Sequence, residues 1–174
     1  MIPRIETERL ILRGYVRADF EDYVALWRDP EVVRFTGGRA RGIAESWGRF
    51  QNIAGHWALE GHGQWAVIRR ADGRLIGQTG IFRAMRGLGA EFDAAPEAGW
   101  ILTGAAHGQG YGGEAVDAAH RWFDASPHAG PLHAMIEPEN AASFRIAERF
   151  GYLRGREAEY EGAAVVLMRR PAQR

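Results

Sequence analysis

The segment His107-Gly108-Gln109-Gly110-Tyr111-Gly112-Gly113 lies between a predicted strand that ends at Leu102 and a predicted helix over residues 114–124. Small residues before a helix N-terminus leave several backbone N–H groups unpaired, and the helix dipole adds roughly half a positive charge there. A diphosphate can approach such a backbone closely because glycine has no Cβ. A tight turn alone would not require four glycines in six residues. The segment therefore predicts a phosphate-binding loop.

Hydrophobic periodicity places this loop within an α+β (mixed α/β) chain. Alternating or continuous apolar runs predict strands over residues 9–13, 64–69, 75–82, 97–102, 132–136, 152–156 and 163–168. Apolar stripes at helical spacing predict helices over residues 20–28, 31–35, 43–59, 114–124 and 140–150. The segment 83–96 is predicted to be a loop or an irregular connection. Because this order lacks the strict alternation of a doubly wound fold, and no repeat or linker interrupts it, we expect a single mixed-sheet domain over residues 1–174.

The composition excludes several classes of site. The chain has 174 residues and no cysteine, and its 22 basic residues, all arginine, balance 22 acidic ones. The lack of cysteine excludes a thiol nucleophile, a disulfide and a cysteine-type zinc site. The lack of lysine excludes a Schiff base and a P-loop lysine. The six histidines show no metal-ligand spacing, so no metal is expected.

The charge balance also bears on partners and location. A formal net charge of +0 gives no basic surface of the kind that binds nucleic acid or anionic membranes. Apolar runs are only a few residues long, so neither a signal peptide nor a membrane span is predicted. We therefore expect a cytoplasmic protein that binds neither nucleic acid nor a membrane.

Residues 108–113 also match the dinucleotide pattern Gly-x-Gly-x-x-Gly. That pattern normally opens the first strand-helix unit and is followed about 20 residues later by a carboxylate. Here it follows several predicted strands, and residues 131–136 contain no carboxylate. A dinucleotide-binding oxidoreductase is therefore the weaker alternative.

Several stretches together resemble the Gcn5-related N-acetyltransferases, in particular the branch of ribosomal-protein N-terminal acetyltransferases and their small-molecule relatives. The acetyl-CoA signature of that family, Gln/Arg-x-x-Gly-x-Gly/Ala before a helix, is similar to residues 107–112, with His107 in place of Gln or Arg. Residues 6–13, 29–35 and 97–102 resemble the opening strand, the segment after the first helix and the central strand. Residues 140–143 with 150–152 resemble the second half of the site.

The resemblance implies a fold and a cofactor site. The fold is a twisted, mostly antiparallel sheet of six to seven strands with helices on both faces and splayed central strands. Acetyl-CoA serves as cosubstrate, without a metal, and its pantetheine arm lies between the splayed strands. The residues implied to bind it are Ile101, Leu102, Thr103, His107, Gly108, Gln109, Gly110, Tyr111, Gly112, Gly113, Asn140 and Ser143.

The resemblance further implies direct transfer of the acetyl group to a primary amine, without a covalent enzyme intermediate. A backbone N–H near Leu102 would stabilise the oxyanion, and Ser143 would lie near the sulfur, although capping of a helix is an alternative role for Asn140 and Ser143. The amine must also lose a proton, and the candidate bases are Glu97, Glu159 and ordered water.

The acceptor is expected to be a small-molecule or peptide amine, and a homodimer is one option for the assembly. A non-catalytic acyl-CoA sensor on the same fold remains an alternative to the enzyme.

Overall fold

The computed structural model describes residues 1–173, and its framework is one eight-stranded sheet with strand order β1-β2-β3-β4-β5-β6-β8-β7. The strands are β1 Ile5–Glu6, β2 Leu10–Arg13, β3 Gln64–Arg69, β4 Leu75–Phe82, β5 Glu97–Leu102, β6 Leu132–Ile136, β7 Leu153–Tyr160 and β8 Ala163–Arg170. The helices are α1 Phe20–Leu26, α2 Pro30–Val33, α3 Ile43–Glu60, α4 Ala90–Ala94, α5 Tyr111–Asp124 and α6 Ala141–Arg149. No helix within residues 1–173 is long and apolar enough to cross a membrane.

The central strands β5 and β6 form the one parallel pair of the described sheet, and the other neighbouring strands are antiparallel. Only Glu97 and His133 are in register across this parallel pair, and the His133 N–H donates to the Pro96 carbonyl at 2.9 Å. Beyond this point the two strands separate. A gap therefore opens in the middle of the sheet toward the C-terminal end of β5.

Helices cover both faces of the sheet. On one face, α5 packs on β2, β4 and β5, and α6 packs on β6. On the other face, α1 packs on β4, and the Tyr15 hydroxyl beside it donates to Gln78 at 3.0 Å. The core contains fully buried side chains such as Trp65, Phe123 and Leu132. These layers leave the C-terminal end of β5 and the N-terminus of α5 at one rim.

The fold class agrees with the prediction, including the splayed central strands, but three details differ. The sheet has eight strands instead of six to seven, because the two-residue β1 is too short to show a periodic pattern. Within the predicted loop, residues 90–94 form α4, and Asp93 of this helix accepts hydrogen bonds from the N–H groups of Arg86 and Gly87, which precede it. Strand β7 extends to Tyr160, with an irregularity between Arg154 and Glu157. The single-domain assignment stays a prediction.

Candidate active site

The glycine-rich loop forms a cradle of free backbone donors at the N-terminus of α5. A short 3₁₀ turn over Gly104–Ala106 leaves β5, and α5 begins at Tyr111. Within residues 1–173, the N–H groups of residues 108–113 donate no hydrogen bond, whereas the Glu114 N–H closes the first helical turn on the Gly110 carbonyl at 3.2 Å. The cradle therefore presents backbone N–H groups and the positive end of a helix dipole to an anion.

Two of the loop glycines have specific steric reasons. Gly110 has φ +81°, in the left-handed region that other residues rarely adopt. A Cβ on Gly112 would lie 3.2 Å from Ile146 of α6 and 3.4 Å from Leu102 of β5, so its absence lets the two helices and the strand approach. The predicted need for glycine thus has two separate causes, backbone conformation at one position and packing at the other.

Arg9 fixes the outside of this loop. Its guanidinium donates to the Gln109 carbonyl at 2.8 Å and to Glu114 at 2.7 Å, and it lies over the Tyr111 ring at 4.7 Å. Burial acts to raise the pKa of Glu114, but hydrogen bonds from Thr7 and Arg9 outweigh it and lower that pKa. Arg9 therefore holds the loop through a carbonyl and, because a guanidinium can only donate, it leaves the N–H groups of the loop free.

His107 does not extend toward the cradle. Its Nε2 lies 3.0 Å from the Leu102 carbonyl, so the ring closes the end of β5 although the side chain is exposed. A carbonyl can only accept, hence this nitrogen carries the proton. The backbone cradle therefore lies next to a histidine that is engaged with the strand.

The backbone of β5 has a free side along the gap. The Thr103 N–H donates to the Ile76 carbonyl of β4 at 2.9 Å, and alternate residues of a strand direct their N–H groups to opposite sides. Ile101 and Thr103 therefore face β4, and the N–H groups of Trp100 and Leu102 face the gap. Leu102 is thus the predicted cofactor residue of β5 whose N–H is directed into the gap.

The start of α6 borders the same gap. The Asn140 side chain accepts a hydrogen bond from the Ser143 N–H at 3.0 Å, which confirms the alternative that Asn140 caps this helix. The Ser143 hydroxyl accepts a hydrogen bond from the Trp100 indole of β5 at 3.2 Å. The structure thus brings Ser143 to the central strand.

The two candidate carboxylates lie elsewhere. Glu97 is buried at the opposite end of β5 from the loop and binds Arg86 through both oxygens, at 2.5 and 2.8 Å. Glu159 is exposed on the edge strand β7, opposite Ala164. Within residues 1–173 neither carboxylate is hydrogen-bonded to Ser143 or to the glycine-rich loop. Their role as base stays a prediction, and both carboxylate oxygens of Glu97 are occupied by Arg86.

A buried hydrogen-bonded pair, His120 and Tyr152, packs next to Trp100 of the central strand. His120 of α5 lies 2.8 Å from the Val116 carbonyl through Nδ1 and 2.8 Å from the Tyr152 hydroxyl through Nε2. Nδ1 therefore carries the proton and the tyrosine donates to Nε2. Burial lowers the pKa of His120 to about 4 and raises the pKa of Tyr152. Tyr152 in turn packs edge-on against the Trp100 ring at 6.2 Å.

Sequence reasoning did not predict Trp100, Arg86 or Arg9 as site residues. The contacts of Arg86 and Arg9 link residues that are far apart or on different elements, and no local pattern reports them. One sequence signal could have identified Trp100. It lies on the predicted strand 97–102, next to Ile101 and Leu102, which the resemblance assigns to the cofactor. Among residues 1–173 no group of three or more histidine, aspartate or glutamate side chains could hold a metal ion.

Comparison with known proteins agrees with this geometry. The family model described as "Acetyltransferase (GNAT) domain" matches residues 9–153. The chain belongs to the GNAT acetyltransferase family. This GNAT protein is 26% identical over 153 residues to the uncharacterized N-acetyltransferase YoaA of Bacillus subtilis (strain 168), a match that covers 87% of the chain and 84% of YoaA. The family assignment confirms the resemblance and makes the protein an acetyltransferase.

Solved structures show the same fold. A GnaT-family protein from Bordetella pertussis superposes with a TM-score of 0.88 at 29% identity, covering 97% of this GNAT chain and 99% of the other. RimL, the ribosomal L7/L12 α-N-protein acetyltransferase solved in complex with coenzyme A, gives a TM-score of 0.79 at 13% identity, with 98% of each chain covered. Because RimL is only 13% identical to this chain, the match supports the fold alone.

Proposed function

We propose that this GNAT protein moves the acetyl group of acetyl-CoA directly to a primary amine. The observation that carries the proposal is the set of free N–H groups of residues 108–113 beside the open gap between β5 and β6. A linear, amide-bearing chain with a charged diphosphate end fits a gap that opens next to an anion cradle. This arrangement favours acetyl-CoA over a nicotinamide dinucleotide.

The proposed fit assigns a task to each part of the site. The diphosphate lies on the N–H groups of residues 108–113 at the positive end of α5. The pantetheine arm lies in the gap as an added strand, and its amides pair with the Trp100 backbone, which leaves the Leu102 N–H to the reacting carbonyl. Asn140 and Ser143 of α6 lie on the other side of the arm.

The proposed reaction is a direct attack of the amine on the thioester. The amine nitrogen attacks the thioester carbonyl, and the Leu102 N–H stabilises the oxyanion; loss of one such donor typically lowers the rate by a factor of about 100 to 1,000. The carbon–sulfur bond breaks, its electron pair goes to sulfur, and the Ser143 hydroxyl donates a hydrogen bond to that thiolate. The amine proton leaves to a base, either ordered water or Glu159. No cysteine is available to form an acyl-enzyme.

The acceptor is a small-molecule or peptide amine. Residues 19–59 and 83–96 are the segments we assign to acceptor recognition. RimL is named for a protein N-terminus, and a further solved relative with this fold, AAC(6')-Ib, is named in complex with paromomycin and acetyl-CoA. Both acceptor classes therefore belong in the test.

Ligand-induced stabilisation tests the cofactor first. We expect acetyl-CoA to raise the melting temperature and NAD(P) to leave it unchanged, because only a binder of the folded state stabilises it. Thiol release is then measured across a panel of N-terminal peptides, amino acids, polyamines and aminoglycosides. The chain itself contributes no thiol background, since it has no cysteine.

The sensor, the oxidoreductase and the acetyltransferase each predict a different outcome. Stabilisation by acyl-CoA without thiol release on any amine would indicate the sensor. Stabilisation by NAD(P) alone would indicate the oxidoreductase. Thiol release that depends on one class of amine would support the proposal and name its acceptor.

A further inference from the structure

We infer that Trp100 is a positioning residue for Ser143, and that its indole fixes this hydroxyl as a hydrogen-bond donor toward the sulfur of coenzyme A. The observation is the 3.2 Å hydrogen bond from Trp100 Nε1 to Ser143 Oγ, which joins the central strand to α6. The inference rests on the proposed function, because it gives the hydroxyl its direction in that reaction.

The direction follows from the chemistry of the two groups. An indole N–H can only donate, so the serine oxygen is the acceptor in this bond. The hydroxyl proton must then point elsewhere. Ser143 is the third residue of α6, so the carbonyl four residues earlier, that of Glu139, lies before the helix cap, and within residues 1–173 the hydroxyl donates to no protein acceptor. The proton therefore remains available to a ligand in the gap.

Contacts with Tyr152 and with strand β4 fix the position of the Trp100 indole. Its ring packs edge-on against Tyr152, which is buried and bonded to His120 of α5. Its backbone lies opposite Thr79 in the β4 ladder, while its own N–H faces the gap. Trp100 thus connects the gap proposed for the pantetheine arm to Ser143, the residue proposed to donate a hydrogen bond to the sulfur.

The polarity also selects between two roles for Ser143. The serine oxygen can accept a second hydrogen bond through its other lone pair, but its one proton has no acceptor within residues 1–173, and a thiolate, which has no proton, can only accept. A serine that donates to the developing thiolate keeps both bonds at once. The geometry therefore assigns donation to the leaving sulfur.

A double-mutant cycle tests this assignment. Wild type, Trp100→Phe, Ser143→Ala and the double variant are assayed for kcat and for the KM of acetyl-CoA by thiol release with the accepted amine. We expect Trp100→Phe to lower kcat by roughly 3- to 10-fold, the worth of one hydrogen bond, with little change in KM. In the Ser143→Ala background the same substitution should cause no further loss.

Trp122→Phe is the matched control. Trp122 packs against Trp57 and Trp65 and has no contact with Ser143, so its removal tests the loss of an indole as such. We expect kcat in this variant to match wild type. Circular dichroism and urea unfolding of all variants establish that they are folded.

Each result has one meaning. An equal loss from Trp100→Phe in both backgrounds would show that the ring acts by packing and would overturn the inference. Loss in Ser143→Ala with none in Trp100→Phe would overturn it while leaving acetyl transfer intact. Activity of Ser143→Ala equal to wild type would remove the role of the serine and the inference together. Absence of thiol release with every amine would reject the proposed function itself.

A crystal structure with coenzyme A decides the case in which Trp100→Phe does not fold. Ser143 Oγ within about 3.5 Å of both the indole nitrogen and the sulfur supports the inference. A hydroxyl turned to the Glu139 carbonyl, away from the sulfur, overturns it.

Discussion

Gly110 ends the glycine-rich loop in a backbone conformation with φ +81°, one residue before α5 begins. An added Cβ would lie 3.3 Å from the guanidinium of Arg9, which itself holds the Gln109 carbonyl. A side chain at this position therefore strains the backbone and disturbs the one arginine that orients the loop. Both effects act on the N–H groups that we assign to the diphosphate.

Gly110→Asp should abolish measurable binding of acetyl-CoA, with a loss of at least about 100-fold, because like charges placed together cost several kcal/mol. Isothermal titration calorimetry measures the affinity. Gly73→Asp is the matched control, since Gly73 has φ +71° in the β3–β4 turn and gains the same carboxylate in open space. Unchanged affinity in a folded Gly110→Asp variant would contradict the placement of the diphosphate.

Glu97 shows where residue-level prediction ends. Its position on a central strand can be predicted from the sequence and makes it one of the candidate bases. Its bidentate pairing with Arg86 was not readable, because Arg86 lies in a segment predicted as a loop. Burial of a charge depends on partners that only the fold brings together, whereas glycine positions report a local backbone need.

At the scale of elements, strand β5 is the unit on which the site depends. Periodicity predicted its bounds and those of β3, β4 and β6, because each strand is a compact apolar run. The two-residue β1 and the short α4 were missed, since neither is long enough to show a period. The splay between β5 and β6 came from the family resemblance, because no local pattern states how far a parallel pair extends.

Hydrogen exchange by NMR should show the free side of β5. Binding of acetyl-CoA should slow exchange of the Trp100 and Leu102 amides by at least about tenfold more than that of Ile101 and Thr103, because the latter face β4 in the free protein. The two pairs of neighbours on one strand serve as their own control. Equal slowing at all four amides would indicate general stabilisation instead of a chain lying in the gap.

At the scale of the whole molecule, the buried pair His120 and Tyr152 connects stability to pH. The pKa of His120 falls from 6.5 in the unfolded chain to about 4 in the folded protein, with burial as the main cause. Its contribution is therefore fully present above pH 6.5 and decreases as the pH falls through this window. At pH 4 the loss amounts to about 3 kcal/mol of unfolding free energy.

His120→Gln should flatten this part of the pH dependence, because glutamine does not titrate. Urea unfolding at pH 7.0, 5.5 and 4.5 measures it, as the difference between variant and wild type. Tyr152→Phe removes the hydrogen bond but keeps the buried imidazole, so its decline toward low pH should persist. An identical decline in wild type and His120→Gln would show that other groups carry the effect.

The gap inside the sheet has a consequence for how long the protein survives in a cell. Two strands that stop pairing early leave backbone groups to water, and a ligand that fills their place adds stability only while it is bound. At a ligand concentration of 100 times Kd this gain is about 2.7 kcal/mol. Proteases that cleave briefly opened chains respond to that difference. On the proposed function, the lifetime of the protein then follows the concentration of acetyl-CoA.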